Sequence, residues 1–245
     1  MAKPALRIAA TADLHYGKHS RGTLHDAFIE ISSAADVLLL CGDLTDYGLP
    51  EEAEALIADV RSAVKIPMLA VLGNHDFESG QADLVCKLLD DAGINVLDGE
   101  AVDVAGVGFA GVAGFGGGFG RRMLNAWGEP LIKQFVQESI AHAVRLEQAL
   151  AKLETEQRIV VLHYSPIRAT LQGEDPEIFA FLGSSRLEEP INRFRVNAVF
   201  HGHAHNGIAE GKTSTGIPVY NVSAPALRKS GKPYRIVELH KSGAN

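Results

Sequence analysis

The sequence predicts an α/β protein in which two packed sheets are flanked by helices. Three observations carry that expectation. Short apolar runs alternate with helical patterns over residues 6–92, which argues for a largely parallel sheet in this half. The middle then changes to closely spaced strand-like runs followed by one long helical stripe. The last third holds isolated apolar runs between polar stretches. No internal repeat, low-complexity linker or charge block divides the chain. A chain of 245 residues is long enough for one large core and short for two, so a single domain over residues 1–245 is expected.

Taken in order, Leu6 to Thr11 reads as a buried strand and Asp26 to Ala35 as part of a helix. Val37 to Cys41 is a second apolar strand. Pro50 opens a helix where its missing N–H costs little. Glu51, Glu52 and Glu54 follow, which suits the helix dipole. Ala53, Leu56, Ile57, Val60 and Val64 form that helix's apolar stripe. Met68 to Leu72 is a third strand, and Gln81 to Ala92 another helix. Ile94 to Leu97, Ala101 to Val104 and Val107 to Val112 read as strands with tight connections. Gly114 to Gly120 reads either as a lip over a site, with Phe115 and Phe119 touching substrate, or as a surface connection. Ile132, Val136, Ile140, Ala143, Leu146, Leu150 and Leu153 then step by threes and fours, one face of a helix lying on a sheet. Arg158 to Leu162 is a strand, and Tyr164 to Leu182 a polar rim loop. Val196 to Phe200, Ile217 to Val222 and Tyr234 to Leu239 complete the strands.

The balance of hydrophobic (46%) and charged (22%) residues excludes a disordered tail or a collagen-like fibre. The net charge of −7 gives no electrostatic footprint for wrapping nucleic acid or lying on an anionic membrane. An anionic substrate therefore needs local positive charge, such as metal ions supply. Cys41 and Cys86 are too few for a disulfide scaffold, and Cys41 sits in an apolar run, as a buried thiol would. The run Leu6 to Ala12 is too short to span a membrane and ends in Asp13, unlike a signal peptide. A cytoplasmic location is expected.

Chemistry gathers where the strands run out. Leu6–Ala12 ends in Asp13-Leu14-His15, and Val37–Cys41 in Gly42-Asp43-Leu44-Thr45-Asp46. Met68–Leu72 ends in Gly73-Asn74-His75-Asp76, Arg158–Leu162 in His163, and Val196–Phe200 in His201-Gly202-His203-Ala204-His205. Ligands of open α/β sheets collect at that edge. Imidazole, carboxylate and amide oxygen are the donors that hold first-row divalent metals. Each block alone is weak, and a lone His such as His163 is more often structural. Five in one order make a metal site the preferred reading.

This series resembles the calcineurin-like metallophosphoesterase superfamily, with all five blocks present from Asp13 to His205. The resemblance implies a four-layer αββα sandwich with two metal ions at the strand ends. It implies that Asp13, His15 and His205 hold one metal, that Asn74, His163 and His203 hold the other, and that Asp43 bridges them. His75 would lie by the leaving group as proton donor, oriented by the Asp46 carboxylate. The implied activity is hydrolysis of a small-molecule phosphomonoester or phosphodiester, a nucleotide or cyclic nucleotide among them, by in-line attack of a metal-bridging hydroxide. Two divalent ions, two aspartates and that hydroxide leave the pocket near about +1, which attracts phosphate despite the acidic chain. The donor set suits Mn, Fe, Zn, Co or Ni.

The protein Ser/Thr phosphatase branch continues its second motif with an arginine, whereas Tyr47 and Gly48 follow Asp46 here. Gripping of substrate falls to Asn74 and to Arg121, Arg122 and Arg168, whose guanidinium forks suit phosphate. Asp-Leu-His-Tyr-Gly also resembles the opening motif of the SbcD-type nucleases, but the chain has no room for their DNA-facing domain, and its acidity counts against nucleic acid. A metal-free interaction module of the same fold is the other alternative, and no ligand is missing to favour it. Gly106-Val107-Gly108-Phe109-Ala110-Gly111 matches a dinucleotide fingerprint by coincidence, because no helix pattern follows it, and Gly114 to Gly120 lacks the lysine of a Walker loop. His19, His25, His142 and His240 are expected at the surface, Trp127 in a core or seam, His201 in packing, and Tyr164 in strand-end packing.

Overall fold

The computed structural model describes residues 6–229 and 231–240. In chain order the elements are β1 (Leu6–Thr11), α1 (His25–Ala34), β2 (Val37–Cys41), α2 (Pro50–Ala63), β3 (Met68–Val71), α3 (Asn74–Phe77), α4 (Ala82–Asp91), β4 (Ile94–Val96), β5 (Glu100–Val104) and β6 (Val107–Gly111). Then come α5 (Pro130–Ala151), β7 (Gln157–Val161), α6 (Phe179–Leu182), α7 (Ser185–Arg193), β8 (Ala198–His201), β9 (Glu210–Lys212), β10 (Pro218–Asn221), α8 (Ala224–Arg228) and β11 (Arg235–Leu239).

Two mixed sheets form. One has the order β11-β1-β2-β3-β4, the other β5-β6-β7-β8-β10-β9. β1 to β4 run parallel and β11 pairs antiparallel with β1. In the second sheet β6, β7, β8 and β10 are parallel, between antiparallel β5 and β9. Alternation along each strand sorts side chains to two faces. Ile8, Ala10, Leu39, Cys41 and Val71 meet Phe109, Ile159, Val161 and Phe200 between the sheets. Ala9, Leu38, Leu40 and Ala70 face outward onto Phe28 and Ile31 of α1, Leu56 and Val60 of α2, and Val85 and Leu89 of α4. Beneath the other sheet, Leu146 and Leu150 of α5 and Leu187 and Ile191 of α7 cover Ala110, Val160, Val199 and Val219. Burial on both faces is why the inner strands β2 and β3 read as unbroken apolar runs. The result is the four-layer αββα sandwich expected from the resemblance.

Several expectations are corrected. The buried face of α5 is Val136, Ser139, His142, Leu146, Ala149 and Leu150, so His142 lies in the interior and not at the surface. Ile132, at the start of the expected stripe, is 39% exposed. Trp127 is 65% exposed, outside any core. Gly114 to Gly120 is not a surface connection over most of its length, since Gly114, Gly116, Gly117 and Gly118 are buried, and Gly114 and Phe115 line a cavity beside Asn74. A Cβ on Gly116 would meet the Ala180 carbonyl oxygen at 2.7 Å, and one on Gly117 would meet Ser139 Oγ at 2.8 Å. Only glycine permits that approach of α5 and α6 to the ribbon. The rim segment after Tyr164 carries two single turns, Ala169–Leu171 and Pro176–Ile178, as well as α6. Among the described residues no helix is long and apolar enough to cross a membrane.

Candidate metal centre

Parallel pairing brings the carboxyl ends of β1, β2, β3, β7 and β8 to one edge, and the loops leaving them are tied together by named bonds. Asp13 N–H donates to the Gly42 carbonyl at 2.9 Å, and the Asp43 carbonyl accepts from Leu14 and His15 at 2.9 and 3.1 Å. The buried Asp76 carboxylate accepts from Gly73 N–H (2.8 Å), Leu44 N–H (3.2 Å), Thr45 N–H (2.8 Å) and Thr45 Oγ1 (2.6 Å), clamping the second loop to the third. Burial lifts its pKa, and these donors only partly offset that. His203 N–H donates to the Asp13 carboxylate at 3.0 Å, which anchors the fifth loop.

The backbone is strained at this edge. Among the described residues six non-glycine residues have positive φ, and four of them are Asp13 (56°), His15 (47°), Asp43 (49°) and His203 (69°). Each left-handed residue costs roughly 1–3 kcal/mol, and such strain clusters at functional sites. It turns these side chains sharply out of their strands.

The outcome is convergence. Asp13, His15, Asp43 and His205 offer donor atoms within 4.8 Å of one another, and so do Asp43, His163 and His203. Asp43 belongs to both groups. His205 Nε2 lies 3.0 Å from Asp13 Oδ1, and His163 Nε2 lies 3.4 Å from Asp43 Oδ1 and 3.0 Å from Asn74 Oδ1. His15 Nε2 stands 3.9 Å from Asp43 Oδ2, buried and without a hydrogen-bond partner. A cation fits this set. The orphaned imidazole nitrogen needs a partner, and oxygen and nitrogen donors of the right softness surround it. Two glycines keep the cradle open: a Cβ on Gly73 would meet Asp43 Oδ1 at 2.2 Å, and one on Gly202 would meet Asp13 Oδ2 at 2.7 Å.

The electrostatics agree. Burial works to raise Asp13, but the His205 hydrogen bond and the charges of His163 and His205 hold it below the ordinary carboxylate range. Asp43 is likewise held well below that range against its burial, chiefly by His163. Burial opposes protonation of His163, and the Asp43 charge and hydrogen bond overcome it, raising that histidine. Burial, reinforced by the His163 charge, pushes His203 down to about 3. Two buried carboxylates thus draw positive charge, from a proton or from a cation that displaces it.

His75 sits at the edge of the cluster with its ring edge-on to His15, centroids 4.5 Å apart. Its Nδ1 is 2.7 Å from the Asp46 main-chain carbonyl, an acceptor only, so Nδ1 carries the proton. The Asp46 carboxylate instead approaches His15 Nδ1 at 3.5 Å. The contact of Asp46 with the His75 ring is thus made by its main-chain carbonyl. His75 N–H also donates to Asp43 Oδ1 at 2.9 Å.

The three arginines stand apart from this convergence. All are exposed. Arg122 and Arg168 line a separate cavity of about 270 Å³ with Phe119 and Phe179, and none of the predicted ligands lines it. Tyr164 packs on His163 and His203, with centroids 5.4 and 4.5 Å away. His201 is fully buried and supports the fifth loop, with Nε2 2.9 Å from Thr170 Oγ1 and Nδ1 2.7 Å from the Gly202 carbonyl. Asp76 was quoted in the sequence motif without a role. Its signal was the Gly-x-x-Asp spacing at a helix start, where a carboxylate reaches back to free N–H groups.

The calcineurin-like phosphoesterase family model matches residues 6–207. No curated protein matches the sequence. Among solved structures, phosphopantetheinyl hydrolase from Mycobacterium tuberculosis superimposes with a TM-score of 0.69 at 15% identity, over 96% of each chain. A Thermus thermophilus protein gives 0.60 at 16% identity, over 96% of this chain and 99% of its own. A putative 5′-nucleotidase from Staphylococcus aureus gives 0.54 at 17% identity, over 89% of this chain and 48% of its own. At these identities the likeness is one of fold. The family match spans every loop that delivers a donor to the cluster, from Asp13 to His205, and the chain belongs to the calcineurin-like phosphoesterase family.

Proposed function

We propose that the protein is a single-domain, dinuclear-metal hydrolase of small-molecule phosphate esters, with nucleotides or cyclic nucleotides in its range. The observation that carries this reading is the Asp43 carboxylate, shared by the Asp13, His15 and His205 group and the His163 and His203 group. In it Asp13, His15 and His205 hold one ion, Asn74, His163 and His203 the other, and Asp43 both. Mn, Fe, Zn, Co and Ni all suit these donors. Such ions, when bound, neutralise charge on phosphoryl oxygens and make water nucleophilic at neutral pH.

The chain's own residues supply the rest. Protonated His75 has two donors: Nδ1 is spent on the Asp46 carbonyl, which fixes the ring and leaves Nε2 to give its proton to the departing ester oxygen. Tyr164 packs edge-on against His163 and tilted against His203, which braces both rings on one side of the cluster. The unpaired cysteines, Cys41 buried and Cys86 partly buried, support a reducing, cytoplasmic setting.

The test is turnover of 4-nitrophenyl phosphate and of its bis-ester by protein stripped with a chelator and reloaded with each of the five metals. Hydrolysis of at least one ester with at least one metal is expected. No hydrolysis under any loading overturns the proposal and favours an interaction module.

A further inference from the structure

A cavity of about 220 Å³ adjoins the donor cluster, with Asn74 in its wall. The remaining wall includes Phe77, Phe115, Tyr164 and, from α5, Glu138 and His142. The rings are continuous. Tyr164 lies 4.5 Å from His203 and 5.8 Å from Phe115, and Phe115 lies 6.0 Å from His142 with planes 10° apart. An aromatic wall thus runs from a predicted ligand to the inner face of α5. Phe77, on the short helix that carries Asn74 and His75, is 51% exposed.

His142 adds a polar feature to this wall. Its Nε2 is 2.8 Å from Arg145 Nη2, and a guanidinium only donates. Nε2 therefore accepts, and the neutral ring carries its proton on Nδ1. Glu138 Oε1 approaches the same nitrogen at 3.1 Å without the alignment of a hydrogen bond. Burial and the Arg145 charge push His142 down to about 4, so it is neutral at neutral pH. Nδ1 is buried and has no partner. A buried donor left unpaired costs about 1–3 kcal/mol, and since no atom of an acceptor's size reaches Nδ1 as the ring stands, it gains a partner only with a shift of the ring. The size limits what brings it: an apolar cavity of about 150 Å³ accepts benzene, so this one accepts a substituted or fused planar ring.

We propose that this cavity seats a planar heteroaromatic group of the substrate against Phe77, Phe115 and Tyr164, with a carbonyl or ring nitrogen of that group accepting from His142 once its ring shifts toward the cavity. The place of the phosphate, at the metal cluster, rests on the function proposed above. A nucleobase and a simple pyridine-type ring share the required chemistry. Aliphatic esters lack it.

The test is calorimetric binding of non-hydrolysable phosphonates to the manganese-loaded protein. Benzylphosphonate should bind about fivefold more tightly than cyclohexylmethylphosphonate, and Phe115→Leu should erase that preference. Among the three pyridylmethyl isomers and the methylenephosphonate analogue of uridine 5′-phosphate, at least one should lose about tenfold in His142→Phe. Benzylphosphonate should lose less than about twofold in that variant, because the ring stacked on Phe115 is retained. If the nucleotide analogue is the one affected, a nucleobase is the occupant; if a pyridyl compound, a smaller ring. Equal affinity for the benzyl and cyclohexylmethyl pair, or equal losses of all ligands in His142→Phe, overturns the proposal. Parallel assays of benzyl phosphate hydrolysis keep the two readings apart. Ring preference without turnover upholds the cavity and defeats the hydrolase; turnover with no ring preference defeats the cavity alone.

Discussion

At the scale of single residues, His75 and Asp46 separate a side-chain role from a main-chain one. His75→Ala should lower kcat by about 10²–10³-fold, within the usual range for general acid catalysis. Its metal content, read by mass spectrometry, should stay that of the parent. Asp46→Asn keeps the carbonyl that holds His75, and its turnover should fall by less than about threefold; a loss as large as that of His75→Ala would restore the carboxylate as the orienting group. Asp76 is different, because its carboxylate accepts four bonds in the interior. Asp76→Asn turns an N–H toward those donors and should cost about 3 kcal/mol in urea unfolding, with loss of metal affinity. Histidine 142 sets an acid limit. Its folded pKa, about 4, lies below its ordinary 6.5, so its contribution is complete above pH 6.5 and is lost as pH falls toward 4. About 3 kcal/mol is at stake in that window, and His142→Phe should flatten the stability profile there. The candidate ligands were legible in the sequence because acids, amides and histidines directly after apolar strands have few structural uses. His142 was missed because the stripe was traced through apolar residues alone, although Val136, Ser139, His142 and Leu146 keep helical spacing on one buried face.

At the scale of elements, the turns after the strands decide whether the donors meet. Gly73 and Gly202 leave space that a methyl group would take from Asp43 and Asp13. Gly73→Ala should weaken metal binding by about 10–100-fold, as displaced supporting groups do, with thermal unfolding of the chelated protein changed far less. Unchanged metal affinity would show that the approach at Gly73 is not needed. β2 and β3 were readable because their apolar runs are unbroken and end at Gly42 and Gly73, and β1 because only Arg7 and Thr11 interrupt a run that ends at Asp13. β9 and α8 were not, since three and five residues carry too little periodicity. α7 was hidden by Pro190 inside a short, charge-rich segment. The glycine ribbon at 114–120 was read by composition as loop-like, whereas its burial depends on what packs above it.

At the scale of the whole molecule, the sheet order depends on long-range pairings that local patterns do not encode. β11 closes the first sheet on β1, and β10 lies between β8 and β9. The αββα layering was nevertheless anticipated through the family resemblance, which five motif blocks carry, each placed directly after a strand. The arginines sat outside any such constraint, and sequence alone gave no means of placing them. The acidic chain, with net charge −7, gathers two buried carboxylates at one strand edge, and the proposed cations would offset them there. Metal at 100 times its Kd should therefore raise stability by about 2.7 kcal/mol per bound ion over the chelated protein. The most direct test of this account is the metal stoichiometry of the manganese-loaded chain, with Asp43→Asn alongside. The account predicts two ions per chain in the parent and fewer than one in the variant; one ion or none in the parent, or two in the variant, would contradict it.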